Sequence, residues 1–330
     1  LKNPWGIAFS PTSPFWVSDQ RTNVATLYHG DGVIVPLVVS IPGGGFPSGP
    51  TGDVFNGTSG FVVNGSPAAF MFATLQGTIA AWNGSLGSTA AIVVTNSGPA
   101  SYTGLAEGTA GGASFIYAAN FRQGTIDVFD SSFARATLAG DFSDPALPAG
   151  SRPYNIQNVG GQLYVEYALA GTGQAINGAG HGFVDIFNTN GVLQRRLISN
   201  GPLNSPWGVT LASPHFGPFS NELLVGNNGD GTINAFDPAT GVLLGTLQDS
   251  HGLPIVNDNL WALDFGNGGP GFNADTLYLS AGINGQSDGL FASIAAAPAA
   301  AVPEPSTLVL LGFGTASLIR IAGRGLSSGS

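Results

Sequence analysis

Short apolar runs bounded by Gly, Asn, Asp and Pro recur along almost the whole chain and read as strands joined by turns, not as helices. One run repeats clearly: "GTIAAWN" from Gly77, "GTIDVFD" from Gly124, "GFVDIFN" from Gly182 and "GTINAFD" from Gly231, with weaker copies "NVATLYHG" from Asn23 and "GLFASI" from Gly289. The copies lie roughly 50 residues apart, so the chain holds six units. Ahead of each stands a second run: "FWVSD", "FMFATL", "FIYAAN", "QLYVEYA", "ELLVGNN" and "TLYLSAG". Behind some comes another, such as "PLVVSI", "AAIVVTN", "RRLIS" or "LLGTLQD". At the head of a unit, "NPWGIAFS" at Asn3 returns as "SPWGVTLAS" at Ser205 and more loosely as "NLWALDFG" at Asn259.

Many of these strands are apolar on both sides. In "GTIDVFD", Ile126 and Val128 alternate with Asp127, yet Phe129 points to the same side as Asp127. A strand covered on both faces sits in a sheet sandwiched between like sheets. The expected fold is all-β: a six-bladed β-propeller of four-stranded antiparallel blades, followed by a C-terminal hydrophobic helix. The sixth unit runs from "GLFASI" into "AAAPAAAVPEP" without a fourth apolar strand. Residues upstream of Leu1 are therefore expected to supply the outer strand of the last blade and cover its edge. Restoring the native upstream segment should raise the melting temperature; an unchanged midpoint would refute that closure.

Composition narrows the function. Gly (51) and Pro (22) are abundant in the 330 residues, while Lys and Arg together number 9, as suits many turns and few charged helices. The chain is 43% hydrophobic, too apolar for a disordered Gly-rich linker. A net charge of -10 argues against nucleic acid as partner, because phosphate binding needs basic clusters. No Cys is present, which removes disulfides, thiolate metal sites and Cys nucleophiles.

The stretches "NPWGIAFSPTSPFWVSD", "YAANFRQGTIDVFD", "NIQNVGGQLYV", "GHGFVDIFNTNG", "LNSPWGV" and "LLVGNNGDGTINAFDPATG" resemble a bacterial family of exported propellers of no assigned chemistry, and more broadly the NHL class. The resemblance covers Leu1 to about Ile294 and implies six blades and export.

In a propeller, polar groups on one face and at the channel mouth are the natural place for chemistry. The turns between second and third strands offer Asp19, Arg21, Gln76, Asn120, Arg122, Glu166, Asn227, Asn228 and Asp230, with Glu107 and Asn155 on inner strands. NHL-like propellers of the gluconolactonase type hold a divalent cation on carboxylate and amide oxygens, and that resemblance makes Glu107, Asn120, Asn155, Glu166, Asn227 and Asn228 the candidate ligand or metal residues. No catalytic constellation emerges from them, and no cofactor beyond such a cation is expected. "NNGDGT" at Asn227 is read as an Asp-Gly hairpin turn before a calcium loop. The four His residues fall in different units without zinc spacing, and neither a Gly-x-Ser-x-Gly elbow nor a phosphate loop appears. Asn56, Asn64 and Asn83 stand in sequons that are also Asn-Gly turn signals.

After an "AAAPAAA" linker the chain reads "VPEPSTLVLLGFGTASLIRIAGR". The run from Ser306 to Ile319 is uncharged and is shorter than the roughly 18 to 20 residues of a membrane-crossing helix, but Arg320 can snorkel and extend it. Arg320 and Arg324 would stay on the cytoplasmic side. Pro303-Glu304-Pro305, an apolar run and then Arg together resemble the PEP-CTERM sorting signal read by exosortases of Gram-negative bacteria. By that resemblance Pro303, Glu304 and Pro305 are the recognition site and the helix is a temporary inner-membrane anchor. The expected organisation is a propeller over 1–294, a linker over 295–302, the sorting signal with its transmembrane helix over 303–324 and a tail over 325–330. The expected function is that of an exported binding or structural protein at the cell surface, outer envelope or extracellular matrix, with polysaccharide or a surface protein as partner. The alternative is a metal-dependent NHL-like hydrolase or lactonase.

Overall fold

The computed structural model of the chain describes residues 1–43, 49–96 and 98–296. The chain divides into two units, Leu1–Ala296 and Ala297–Ser330. The expected C-terminal helix, and with it Pro303, Glu304, Pro305, Arg320 and Arg324, lies outside the described residues.

Among the described residues six antiparallel sheets of three or four strands follow one another in sequence, and a two-stranded hairpin, Val62–Val63 with Ser66–Pro67, is inserted in the second. Blade 1 is Pro4–Ala8, Phe15–Asp19, Val24–Tyr28 and Ile34–Ser40. Blade 2 is Pro50–Phe55, Phe70–Thr74, Thr78–Trp82 and Ala91–Thr95. Blade 3 is Tyr102–Ala110, Ala113–Asn120 and Thr125–Asp130. Blade 4 is Ser151–Val159, Gln162–Leu169, Gly182–Phe187 and Leu193–Ser199. Blade 5 is Pro206–Leu211, Leu223–Asn227, Ile233–Phe236 and Leu243–Thr246. Blade 6 is Leu260–Phe265, Thr276–Ala281 and Leu290–Ala295. Four blades thus carry four strands, and blades 3 and 6 carry three among the described residues.

The double-sided apolar pattern has a direct cause. In the second strand of blade 3, Ile116 and Ala118 join the core shared with blade 2, while Tyr117 and Ala119 join the core shared with blade 4. In the third strand Val128 faces blade 4 and Phe129 faces blade 2. Each inter-blade layer is therefore a separate packed core, stabilised at roughly 25 cal/mol per Å² of apolar surface removed from water.

The first strand of every blade lines the axis, and each carries the same irregularity. Its register against the second strand slips near its second residue, at Pro4/Ile7, Pro50/Asp53, Tyr102/Gly104, Pro153/Asn155, Pro206/Gly208 and Leu260/Leu263. Such a bulge re-aims a side chain. The small residue after it has a packing reason: a Cβ on Gly52 would lie 2.5 Å from the Leu105 nitrogen, and one on Gly208 would lie 2.5 Å from the Trp261 oxygen. The recurring Trp-Gly pair is the sequence trace of this junction. Blades 6 and 1 close the ring, with the Trp261 indole donating to Asn3 Oδ1 at 3.0 Å and Asn267 donating to the Ser10 carbonyl at 2.8 Å.

Candidate functional site

The residues at the bulges plug one end of the channel. Trp5 stacks on Trp261 with ring centroids 3.5 Å apart, and Trp207 meets them edge-on at 6.2 and 5.9 Å. Tyr154 packs beside Trp5 and Trp261. The Trp207 indole donates to the Thr103 carbonyl at 2.9 Å, which spans from blade 5 to blade 3.

Beyond this plug the inner strands enclose a cavity of about 340 Å³. Its polar lining comes from Asp53, Glu107, Asn155, Gln157, Asn158 and Asp264, and among the described residues no Lys, Arg or His lines it. Phe9 and Phe55 add aromatic surface. Burial raises the pKa of all three acids: Asp53 well above the ordinary carboxylate range, Glu107 upward, and Asp264 to about 7. For Asp53 a contact with Ser18 opposes the effect and the charge of Asp264 adds to it. By hydrogen-bond geometry neither Asp53 oxygen has a partner, nor does Glu107 Oε1. A carboxyl of raised pKa keeps its proton to higher pH than an exposed one, and in that form it both donates and accepts hydrogen bonds.

The candidate residues separate. Glu107 and Asn155 line the cavity. Asn155 also donates to the Trp207 carbonyl at 2.7 Å, fastening blade 4 to blade 5. Asn120 caps its own turn, accepting from the Ser101 and Gln123 amides and donating to Asp127. Asn227 accepts from the Asn204 amide and donates to the Pro202 carbonyl. Asn228 donates to the Leu260 carbonyl at 3.3 Å. Glu166 pairs in register with Asn155 on the second strand of blade 4, fully buried, with neither carboxylate oxygen hydrogen-bonded. Among the described residues no group of three or more His, Cys, Asp or Glu side chains could share a metal ion. In "NNGDGT", Asp230 accepts from the Thr232 amide and from Asn204, as a turn-capping Asp does. Asp53 and Asp264 are the cavity residues that the strand-end reading passes over. Asp53 stands where the other inner strands carry Ile7, Leu105, Ile156, Val209 and Leu263, a departure visible once the six strands are aligned on their bulges.

The described residues form a six-bladed propeller, carried in the same chain as a C-terminal address. Residues 301–324 match the PEP-CTERM protein-sorting motif. That signal implies export, processing by an exosortase and sorting to the cell envelope. The chain is 34% identical over 308 residues to Uncharacterized protein R648 of Acanthamoeba polyphaga mimivirus, covering 89% of this chain and 75% of that one. It is 33% identical over 307 residues to Uncharacterized protein L690 of the same virus, covering 89% and 80%. The chain belongs to the family of these two proteins. Among solved structures, virginiamycin B lyase from Staphylococcus aureus matches with a TM-score of 0.53 at 12% identity, over 89% of this chain and 84% of that one. A Bacteroides thetaiotaomicron protein of unknown function matches with a TM-score of 0.54 at 11% identity, over 89% and 70%. These two likenesses concern the fold.

Proposed function

We propose that this protein works at the cell surface or in the extracellular matrix as a binding protein for a neutral, hydroxyl-rich polymer, with polysaccharide the ligand class. The observation that carries this reading is the plugged channel cavity, with three acids of raised pKa, three amides and, among the described residues, no cationic side chain. Protonated carboxyls and amides match hydroxyls in both directions, and aromatic surface suits the apolar face of a sugar ring. Acids that ionise in the absence of any cation repel anionic polymers. A binding panel of neutral and uronic-acid oligosaccharides checks this: selective retention of the neutral set supports it, and preference for the acidic set overturns it.

Delivery is part of the same reading, with the tail holding the chain in the inner membrane until the exosortase acts at Pro303, Glu304 and Pro305. Replacing these three residues with Ala is expected to leave unprocessed chain in the inner membrane, seen by fractionation and intact mass. Normal release of that variant would refute the role.

A metal-dependent hydrolase is the second reading, favoured by one observation: Glu107 and Asn155 line a common cavity. Elemental analysis separates the two. Stoichiometric calcium or zinc, with a hydrolytic activity lost in Glu107→Gln, would replace the binding account.

A further inference from the structure

Blade 3 lacks a fourth strand for a specific reason. After Asp130 the chain begins one, with the Asp130 amide donating to the Ala134 carbonyl and the Ala136 amide to the Val128 carbonyl, both at 2.9 Å. It then leaves. The Gly140 and Phe142 amides donate instead to Asn190 and Gly191 of the next blade, at 2.8 and 3.0 Å. Phe142 lodges between Tyr117 and Phe187, with centroids 5.7 and 5.3 Å away. Beyond it, Asp144 pairs with Arg196 of blade 4. The strap is thus tied at both ends and cannot close onto the edge of its own blade.

What remains between strap and edge is a groove of about 530 Å³, lined by Thr125 to Val128 on one side and Arg135 to Phe142 on the other. Val128 and Asp130 turn their hydrogen-bonding groups outward to meet the strap. By strand alternation Ile126 turns its own N–H and C=O the same way, into the groove. In blades 1, 2, 4 and 5 a strand of this chain fills the equivalent place.

We infer that this groove receives an extended peptide of another protein, which adds to blade 3 as its fourth strand. The fold itself displays that occupant's geometry four times. About four residues fit, at roughly 3.3 Å each, and backbone pairing supplies the affinity in such strand addition. Charge selects the sequence. Arg135 is held to the groove wall by the buried Asp127, yet 58% of its side chain stays exposed. Asp127 is further fixed by Tyr102 at 2.8 Å and Asn120 at 3.1 Å. An acidic residue at the centre of the peptide would meet the free side of this guanidinium.

The probe is a dye-labelled, end-capped Thr-Val-Glu-Val-Thr peptide carrying a photo-crosslinker, added to the full chain in detergent. Saturable binding is expected, with crosslinks within 125–128 or 135–142. Methylating the peptide's pairing amides should abolish it, and Arg135→Gln should weaken it about tenfold. Ile126→Pro, which removes an edge N–H at a position where sheets tolerate proline, should also abolish it. Absence of saturable binding, crosslinks elsewhere, or equal affinity of the N-methylated peptide would overturn the inference; the last arm needs no variant to fold.

Discussion

Glu166→Gln is expected to make the propeller more stable than the wild type at pH 8 and to flatten its dependence on pH. Glu166 is fully buried between blades 4 and 5, with neither oxygen hydrogen-bonded, and burial raises its pKa well above the ordinary value. At the same place in the other second strands stand Ser18, Ala73, Ala119, Gly226 and Ser280, all small. A carboxyl of raised pKa holds its proton more tightly folded than unfolded. Its contribution to stability is full below the unfolded value of about 4.3 and is lost as pH rises toward the folded value, at about 1.4 kcal/mol per pH unit. Asp53 acts in the same sense between blades 1 and 2, and Asp19 and Asp264, raised to about 6 and about 7, titrate within the same window. The wild type should therefore lose stability steadily from pH 4 to beyond pH 7. Gln keeps the volume and removes the ionisation, for a gain at pH 8 on the order of 1–3 kcal/mol. Thermal unfolding at pH 5, 6, 7 and 8 checks both statements. A flat wild-type profile, or a variant running parallel to it, would contradict them.

The second large effect is at the plug. Trp261→Ala removes the stack on Trp5, the edge contact with Trp207, the tilted contact with Tyr154, and the indole bond to Asn3 that helps join blade 6 to blade 1. A buried Trp replaced by Ala costs about 3–5 kcal/mol, and the orphaned Asn3 oxygen adds about 1 kcal/mol. For a domain of this size the melting temperature should fall by roughly 6–12 °C. Trp261→Phe should recover most of the stacking but not the hydrogen bond, leaving a smaller loss. Calorimetry that finds Trp261→Ala within 1 °C of wild type would show that the plug does not hold the ring.

The blades were legible because inter-blade packing writes itself into single strands. Phe129 breaking the alternation of "GTIDVFD" already required a second buried layer, and in the structure it faces blade 2 while Val128 faces blade 4. The missing fourth strand of blade 3 left a trace as well, since no apolar run follows "GTIDVFD" before Pro145. The site was harder to read. Asn120 and Asn227 look like ligands in sequence because they end strands, yet their side-chain amides hold backbone, Asn120 that of its own turn at Gln123 and Asn227 that of Asn204 and Pro202 ahead of the first strand of blade 5. Asp53 and Asp264 were hidden for the opposite reason: they sit inside strands, and which side chain faces the axis depends on a bulge that only the register reveals. The C-terminal address was the most legible feature of all, since it is read as sequence and requires no fold.

Binding of a neutral glycan in the channel cavity is open to direct measurement by calorimetric titration of the processed protein from the cell surface. The titrant is neutral oligosaccharide prepared from the host's own extracellular polysaccharide. The wild type should bind saturably, and a Glu107→Ala, Asp264→Ala double variant that still unfolds cooperatively should bind at least about tenfold more weakly. No binding heat from the wild type, or equal affinity in the double variant, would contradict it.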